Sequence, residues 1–222
     1  MCGRFEIHSA IEIIAKLFGI VEWNIDYRPS YNIAPSHDII IAIDKGRRQL
    51  IKSRWGFLPS WAKDTSDGYK MINARAETVA EKPSFKKAFQ KQRCLVLADG
   101  FFEWKKEGKN KKPYLIRLKS EKPFAMAGLY NKWISPEGEE ICTNTIITTE
   151  SNDLIRPIHE RMPVILPQEK YADWLRNDID DPVLLAKMLR PYPSDELEMY
   201  EVTSKVNSPA VNTPEIIERL SY

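Results

Sequence analysis

The chain has 222 residues, 43% of them hydrophobic and 29% charged, with a formal net charge of +2. That balance suits one well-packed globular domain and excludes a disordered or fibrous chain. No apolar run approaches the roughly 18 residues of a membrane span, and the N-terminus lacks the basic and apolar regions of a secretory signal, so the cytoplasm is the expected location.

Cys2-Gly3-Arg4-Phe5 opens the chain. Removal of Met1 would make Cys2 the N-terminal residue, with an α-amine of reference pKa about 7.7–8.0 beside a thiol near about 8.5. Such an aminothiol is built to trap aldehydes: the amine condenses to a Schiff base and the thiol closes a five-membered thiazolidine. Cys94 and Cys142 sit in apolar, strand-like surroundings and read as small buried hydrophobes. Three distant cysteines without a CxxC pair give neither a disulfide framework nor a structural zinc site, and the chain has no phosphate-binding glycine loop or metal-ligand cluster.

Ser9 and Glu12 have the spacing of a capping box, and Ile11, Ile13, Ile14, Leu17 and Phe18 followed by Gly19 predict an amphipathic helix over 10–18. Residues 39–43 and 49–55 read as a hairpin around a turn at 44–46. A short helix is expected at 85–90, ahead of a strand at 94–98. Residues 101–107 and 113–118 form a second hairpin about Gly108-Lys109-Asn110, followed by strands at 124–129 and 141–148. Helices return at 168–175, at 183–189 behind the cap Asp181-Pro182, and from Thr213-Pro214 to Leu220. With no repeat, low-complexity tract or linker, the chain reads as a single α+β domain over 1–222.

Charge is uneven along the chain. Between Lys91 and Lys112 there are seven basic residues (Lys91, Arg93, Lys105, Lys106, Lys109, Lys111, Lys112) against three acidic, whereas 173–201 holds eight acidic against three basic. The basic stretch is either a face for a polyanion or a solvated hairpin tip.

Several polar groups stand in settings that suit chemistry. His8 and His37 read as surface residues, while His159 lies in Arg156-Pro157-Ile158-His159-Glu160-Arg161-Met162-Pro163, a restrained polar loop where an imidazole can exchange protons. Glu103 sits in the aromatic strand Gly100-Phe101-Phe102-Glu103-Trp104. Pointing inward it would hold its proton and serve as an acid; pointing outward it would be a solvated strand residue, and aromatics on both faces leave the choice open. Asp99 either competes for that role or shapes the turn before Gly100. Asn73 could orient a sugar and Arg75 hold a phosphate, or they could be a helix cap and a surface arginine. Trp55 and Trp61, near Arg54, suit base stacking or the core.

Together these segments resemble the SOS response-associated peptidase family, also described as abasic site processing proteins. The resemblance rests on Cys2-Gly3-Arg4-Phe5, Tyr31-Asn32-Ile33-Ala34-Pro35, Arg54-Trp55-Gly56 with Trp61, Asn73-Ala74-Arg75-Ala76-Glu77-Thr78, Arg93-Cys94-Leu95-Val96 with Ala98 to Trp104, His159-Glu160-Arg161-Met162-Pro163 and Val206-Asn207, in family order across nearly the whole chain. Leu97 departs from it, standing where the family often has proline. The resemblance implies a mixed fold with a β-barrel-like core flanked by helices and a basic groove for single-stranded DNA. It implies that Cys2, freed of Met1, crosslinks to the aldehyde of an abasic site, with a lyase side activity, reversal and self-removal of Met1 as further activities. Asn73 would position the sugar, Glu103 shuttle protons and His159 assist as acid or base. Arg4, Arg75 and Arg161 would contact DNA, and Trp55, Trp61 and Trp104 would pack around it. No cofactor or metal is implied; the partner is abasic single-stranded DNA, met by a monomer on the nucleoid. The competing readings are an N-terminal-nucleophile hydrolase and a cysteine peptidase using Cys2 and His159.

Overall fold

A computed structural model describes residues 2–108 and 110–221, and Tyr69 by its backbone alone. Lys109, expected at the tip of the second hairpin, and Met1, whose removal the Cys2 chemistry needs, lie outside the described residues. The first half of the chain holds β1 (Phe5–Ile7), α1 (Ile11–Phe18), β2 (Glu22–Trp23), β3 (Ser30–Ile33), β4 (Asp38–Asp44), β5 (Arg48–Trp55), β6 (Asn73–Arg75), α2 (Pro83–Lys91), β7 (Arg93–Ala98) and β8 (Gly100–Glu107). The second half holds β9 (Asn110–Leu118), β10 (Phe124–Ile134), β11 (Glu140–Glu150), β12 (Arg161–Pro163), β13 (Ile165–Leu166), α3 (Tyr171–Leu175), α4 (Pro182–Ala186) and β14 (Leu197–Glu201).

Strands β11, β10, β7, β4 and β5 pair in that order, and β5 returns to β11 through the parallel pairs Thr143↔Arg54 and Asn144↔Trp55, closing a five-stranded barrel. Closure joins β5 and β11 over those pairs, and Ile41, Val96, Met126 and Ile146, which share one face of the barrel strands, are fully buried. A second, antiparallel sheet of order β14-β9-β8-β1-β3 leans on the barrel. The chain passes from one to the other at Asp99, the single residue between β7 and β8. This sheet is covered on both sides: Phe101 and Ile116 join the barrel core, while Phe102, Leu115 and Tyr200 pack under Val206 and Ile216 of the C-terminal segment.

The expected hairpins and strands are present, with the turn glycines Gly46 and Gly108 in the left-handed region. Asp181 caps α4 by accepting from the Val183 amide. Three expectations are corrected. The Ser9 capping box does not form: α1 starts at Ile11 behind Ala10, which makes no side-chain cap, because the Ser9 hydroxyl and amide both donate to Asp99, at 2.5 and 2.8 Å. A charged acceptor outcompetes the helix end. Residues 168–175 divide into a 3-10 turn and the short α3. The last helix shrinks to a 3-10 turn at Pro214–Ile217, since the Leu220 amide donates instead to the Glu201 carbonyl.

Candidate active site

Cys2, Asn73, Glu103 and His159 arrive from four segments. The stretch before β1 continues antiparallel to β8, with Phe5 opposite Phe101 and the Phe102 amide donating to the Arg4 carbonyl, a register that carries Cys2 and Gly3 alongside Glu103. Strand alternation turns Glu103 to the Phe101 side, toward the barrel. Asn73 begins β6, a three-residue strand parallel to β11 with Asn73 opposite Ile146, so it is not a helix cap. Its side-chain amide donates to the Cys2 carbonyl at 2.8 Å, and its Oδ1 is buried with no hydrogen-bond partner among the described residues.

His159 ends a tight loop in which the Asn152 carbonyl accepts from the Arg156 amide and the Ile155 carbonyl from the His159 amide. The Arg161 amide donates to His159 Nδ1 at 2.9 Å, which fixes the ring at the edge of the cleft. Arg161 clasps both carboxylate oxygens of Glu77 at 2.8 and 2.9 Å and donates to the Thr148 carbonyl at 2.6 Å. It therefore ties the His159 loop to β11 and to the segment that follows β6.

Glu103 and His159, with Trp104, Lys106, Lys111 and Asn207, line one cleft of about 380 Å³. Cys2 is fully buried, close enough to Glu103 for that carboxylate to act on its thiol. Burial, and after it the Glu103 carboxylate, push the Cys2 thiol well above its ordinary range. Burial likewise lifts the Glu103 carboxyl to about 7 and lowers His159. Near neutrality Glu103 can thus both give and take a proton, and His159 is a neutral base.

The other expected contacts divide. Arg75 is exposed beside Asn73. Arg4 donates through Nη1 to Asn32 Oδ1 at 2.6 Å and to the Val206 carbonyl at 2.7 Å, and it lies 5.8 Å from the centre of the Trp104 ring. The Trp104 indole donates to Asn207 Oδ1 at 2.7 Å. Trp61 is exposed but outside the cleft lining. Trp55 cannot stack on a ligand: it is wholly buried, packs edge-on against Phe5, and donates its indole N–H to the Ile72 carbonyl at 2.9 Å.

Glu6, His8 and Asp99 form the cluster of metal-ligating type found among the described residues, their ligand atoms within 4.8 Å of one another. They already serve each other: His8 Nδ1 lies 2.7 Å from Glu6 Oε2, and Asp99 accepts from the amides of His8 and Ser9. His8, stacked on Tyr31, and Asp99 thus lock the turn between β1 and α1, apart from Cys2. His37 accepts weakly from the nearby Ala34 amide.

The family model for SOS response associated peptidase (SRAP) matches residues 1–209. The chain belongs to that family. Among relatives, it is 50% identical over 222 residues to abasic site processing protein YoqW of Bacillus subtilis, covering 98% of this chain and 99% of that one. It is 33% identical to abasic site processing protein HMCES of Xenopus tropicalis, covering 85% of this chain and 65% of that one. A crystal structure of a protein from Bacteroides thetaiotaomicron superposes with a TM-score of 0.90 at 31% identity, over 99% of this chain and 100% of that one. The SRAP member thus shares its whole length with its bacterial relatives, both sheets included. Among the described residues no helix is long and apolar enough to cross a membrane.

Reading the residues one by one missed the parts of this site that are not themselves reactive. Asn32, fully buried, accepts from Arg4 and donates to the carbonyls of Val206, Ser208 and Val211. Lys106 and Lys111 reach the cleft together because the pairing of β8 with β9 sets them opposite each other, a hairpin register to which Gly108 already pointed.

Proposed function

We propose that this chain, once Met1 is removed, captures the open-chain aldehyde of an abasic site in single-stranded DNA as a covalent thiazolidine. The Cys2 amine adds to the aldehyde carbon and water leaves, forming the imine. The thiol then adds to that carbon while its proton passes to nitrogen, so the net change is the loss of one water. Asn73, bonded to the Cys2 carbonyl, orients the reacting end. Glu103 protonates the departing hydroxyl, recovers a proton from nitrogen as the imine forms and relays the thiol proton to that nitrogen, and His159 assists proton transfer during sugar ring opening. Arg75 holds a neighbouring phosphate.

The observation that carries this reading is the meeting of Cys2 with Asn73 and with a buried carboxyl, poised near neutrality, that lines an open cleft. The names of the relatives, abasic site processing proteins, support the same substrate. Imine chemistry at Glu103 and His159 also accommodates strand cleavage by β-elimination as a side reaction. The family description as a peptidase fits self-removal of Met1. The expected outcome with processed protein and an abasic single-stranded oligonucleotide is a denaturant-resistant band that forms without reductant and is absent in Cys2→Ala. No band from protein whose intact mass proves loss of Met1 would overturn the reading.

A further inference from the structure

The β8–β9 hairpin carries four lysines in two facing pairs, Lys105↔Lys112 and Lys106↔Lys111. Only residues 114–118 of β9 are paired to β14, so the outer part projects as a two-stranded ribbon. Its two faces differ in charge balance. On one, Lys105 and Lys112 both bind the Glu107 carboxylate at 3.2 Å, and Lys112 also reaches Glu201 at 3.7 Å. On the other, Lys106 and Lys111 are exposed, with no acidic partner among the described residues, and both line the cleft that holds Glu103, Trp104 and His159.

Like charges placed directly opposite on a ribbon repel, and the same fold shows how that repulsion is relieved one residue away, by a shared carboxylate. Relief is missing only on the face turned to the cleft. A dianionic or polyanionic ligand spanning both ammonium groups would supply it, and lysine suits such a contact as a point charge on a flexible stem. The cleft between them already offers the flat Trp104 ring, fixed by Asn207.

Resting on the abasic-DNA reading above, we infer that Lys106 and Lys111 clamp backbone phosphate beside the reacting sugar, while Lys105 and Lys112 serve only to hold the ribbon. Arg75 and this pair then grip the strand from the two sheets, with the sugar between them.

The test separates binding from chemistry. In a Cys2→Ala background, which cannot crosslink, Lys106→Ala with Lys111→Ala should weaken binding of an abasic single-stranded oligonucleotide roughly tenfold at moderate salt. It should also reduce the salt slope, log K against log salt, by about 1.4, the share of two single-strand phosphate contacts. Lys105→Ala with Lys112→Ala removes the same net charge and should leave both quantities close to the parent, and Lys106→Arg with Lys111→Arg should keep affinity. Equal losses from the two pairs, or an unchanged slope in the Lys106, Lys111 variant, would overturn the clamp. Failure of wild-type protein to crosslink would instead count against the Cys2 reading, because the affinity comparison does not depend on the covalent step.

Discussion

Glu103 shows what a reactive carboxyl costs the fold that holds it. Its burial lifts it from the usual carboxylate range to about 7, so the folded chain keeps a proton that the unfolded chain releases. The stability associated with that proton is fully present below about pH 4.5 and is lost as pH rises through about 7, reaching about 3 kcal/mol above it. Glu103→Gln keeps the shape without the charge. It should be more stable than wild type by up to that amount at pH 8 and nearly equal to it at pH 4, as measured by denaturant unfolding at the two pH values. Its crosslinking rate should fall by about a hundredfold or more at neutral pH, the scale of a lost general acid. A variant no more stable than wild type at pH 8 would contradict the burial argument.

At the scale of elements, what was legible in the residues is what is decided locally. Gly19 ends α1, Gly46 and Gly108 turn the hairpins, and Asp181-Pro182 starts α4, because each answers to its immediate neighbours. What was not legible depends on a distant partner. Ser9 leaves its helix for a carboxylate 90 residues away, and Asn73 begins a strand only because β11 offers an edge to a three-residue segment. The inward turn of Glu103 could not be read from alternation, since the barrel covers one face of β8 and the C-terminal segment the other. Arg93 is the extreme case. Buried on β7, it donates to the carbonyls of Phe89 and Gln90 at the end of α2 and to those of Trp174, Arg176 and Ile179 at and beyond the end of α3. A cation suits helix C-termini, and the planar fork reaches acceptors that an ammonium cannot. Arg93→Met should cost about 3–5 kcal/mol by leaving these carbonyls unpaired, with Arg93→Lys recovering only part. Because Arg93 lies away from the cleft, crosslinking measured well below the lowered melting point should be unchanged.

Over the whole molecule, the four candidate site residues divide evenly between the two sheets. Cys2 and Glu103 belong to the β1–β8 side, Asn73 and His159 to the edges of barrel strand β11. The site therefore exists only while the sheets keep their relative position, and no single element contains it. The seam is held by Phe5 against Trp55, with ring centres 5.1 Å apart, by Phe101 against Phe124 at 6.5 Å, and by Arg4 tied through Asn32 to the C-terminal segment. Trp55 couples the seam directly to the chemistry. Its ring backs the strand that carries Cys2, and its indole N–H holds the carbonyl of Ile72, the residue before Asn73. Trp55→Phe keeps an aromatic ring but removes that bond and some volume, a cost of about 2 kcal/mol from which a closed barrel should still fold. Asn73 would then be held less firmly against the Cys2 carbonyl, and effective molarity is steeply sensitive to such looseness. The expected outcome is a crosslinking rate at saturating DNA reduced tenfold or more, with noncovalent affinity measured in the Cys2→Ala background nearly unchanged. A variant that lost affinity but kept its saturated rate would place Trp55 in DNA binding and contradict its role beneath the site.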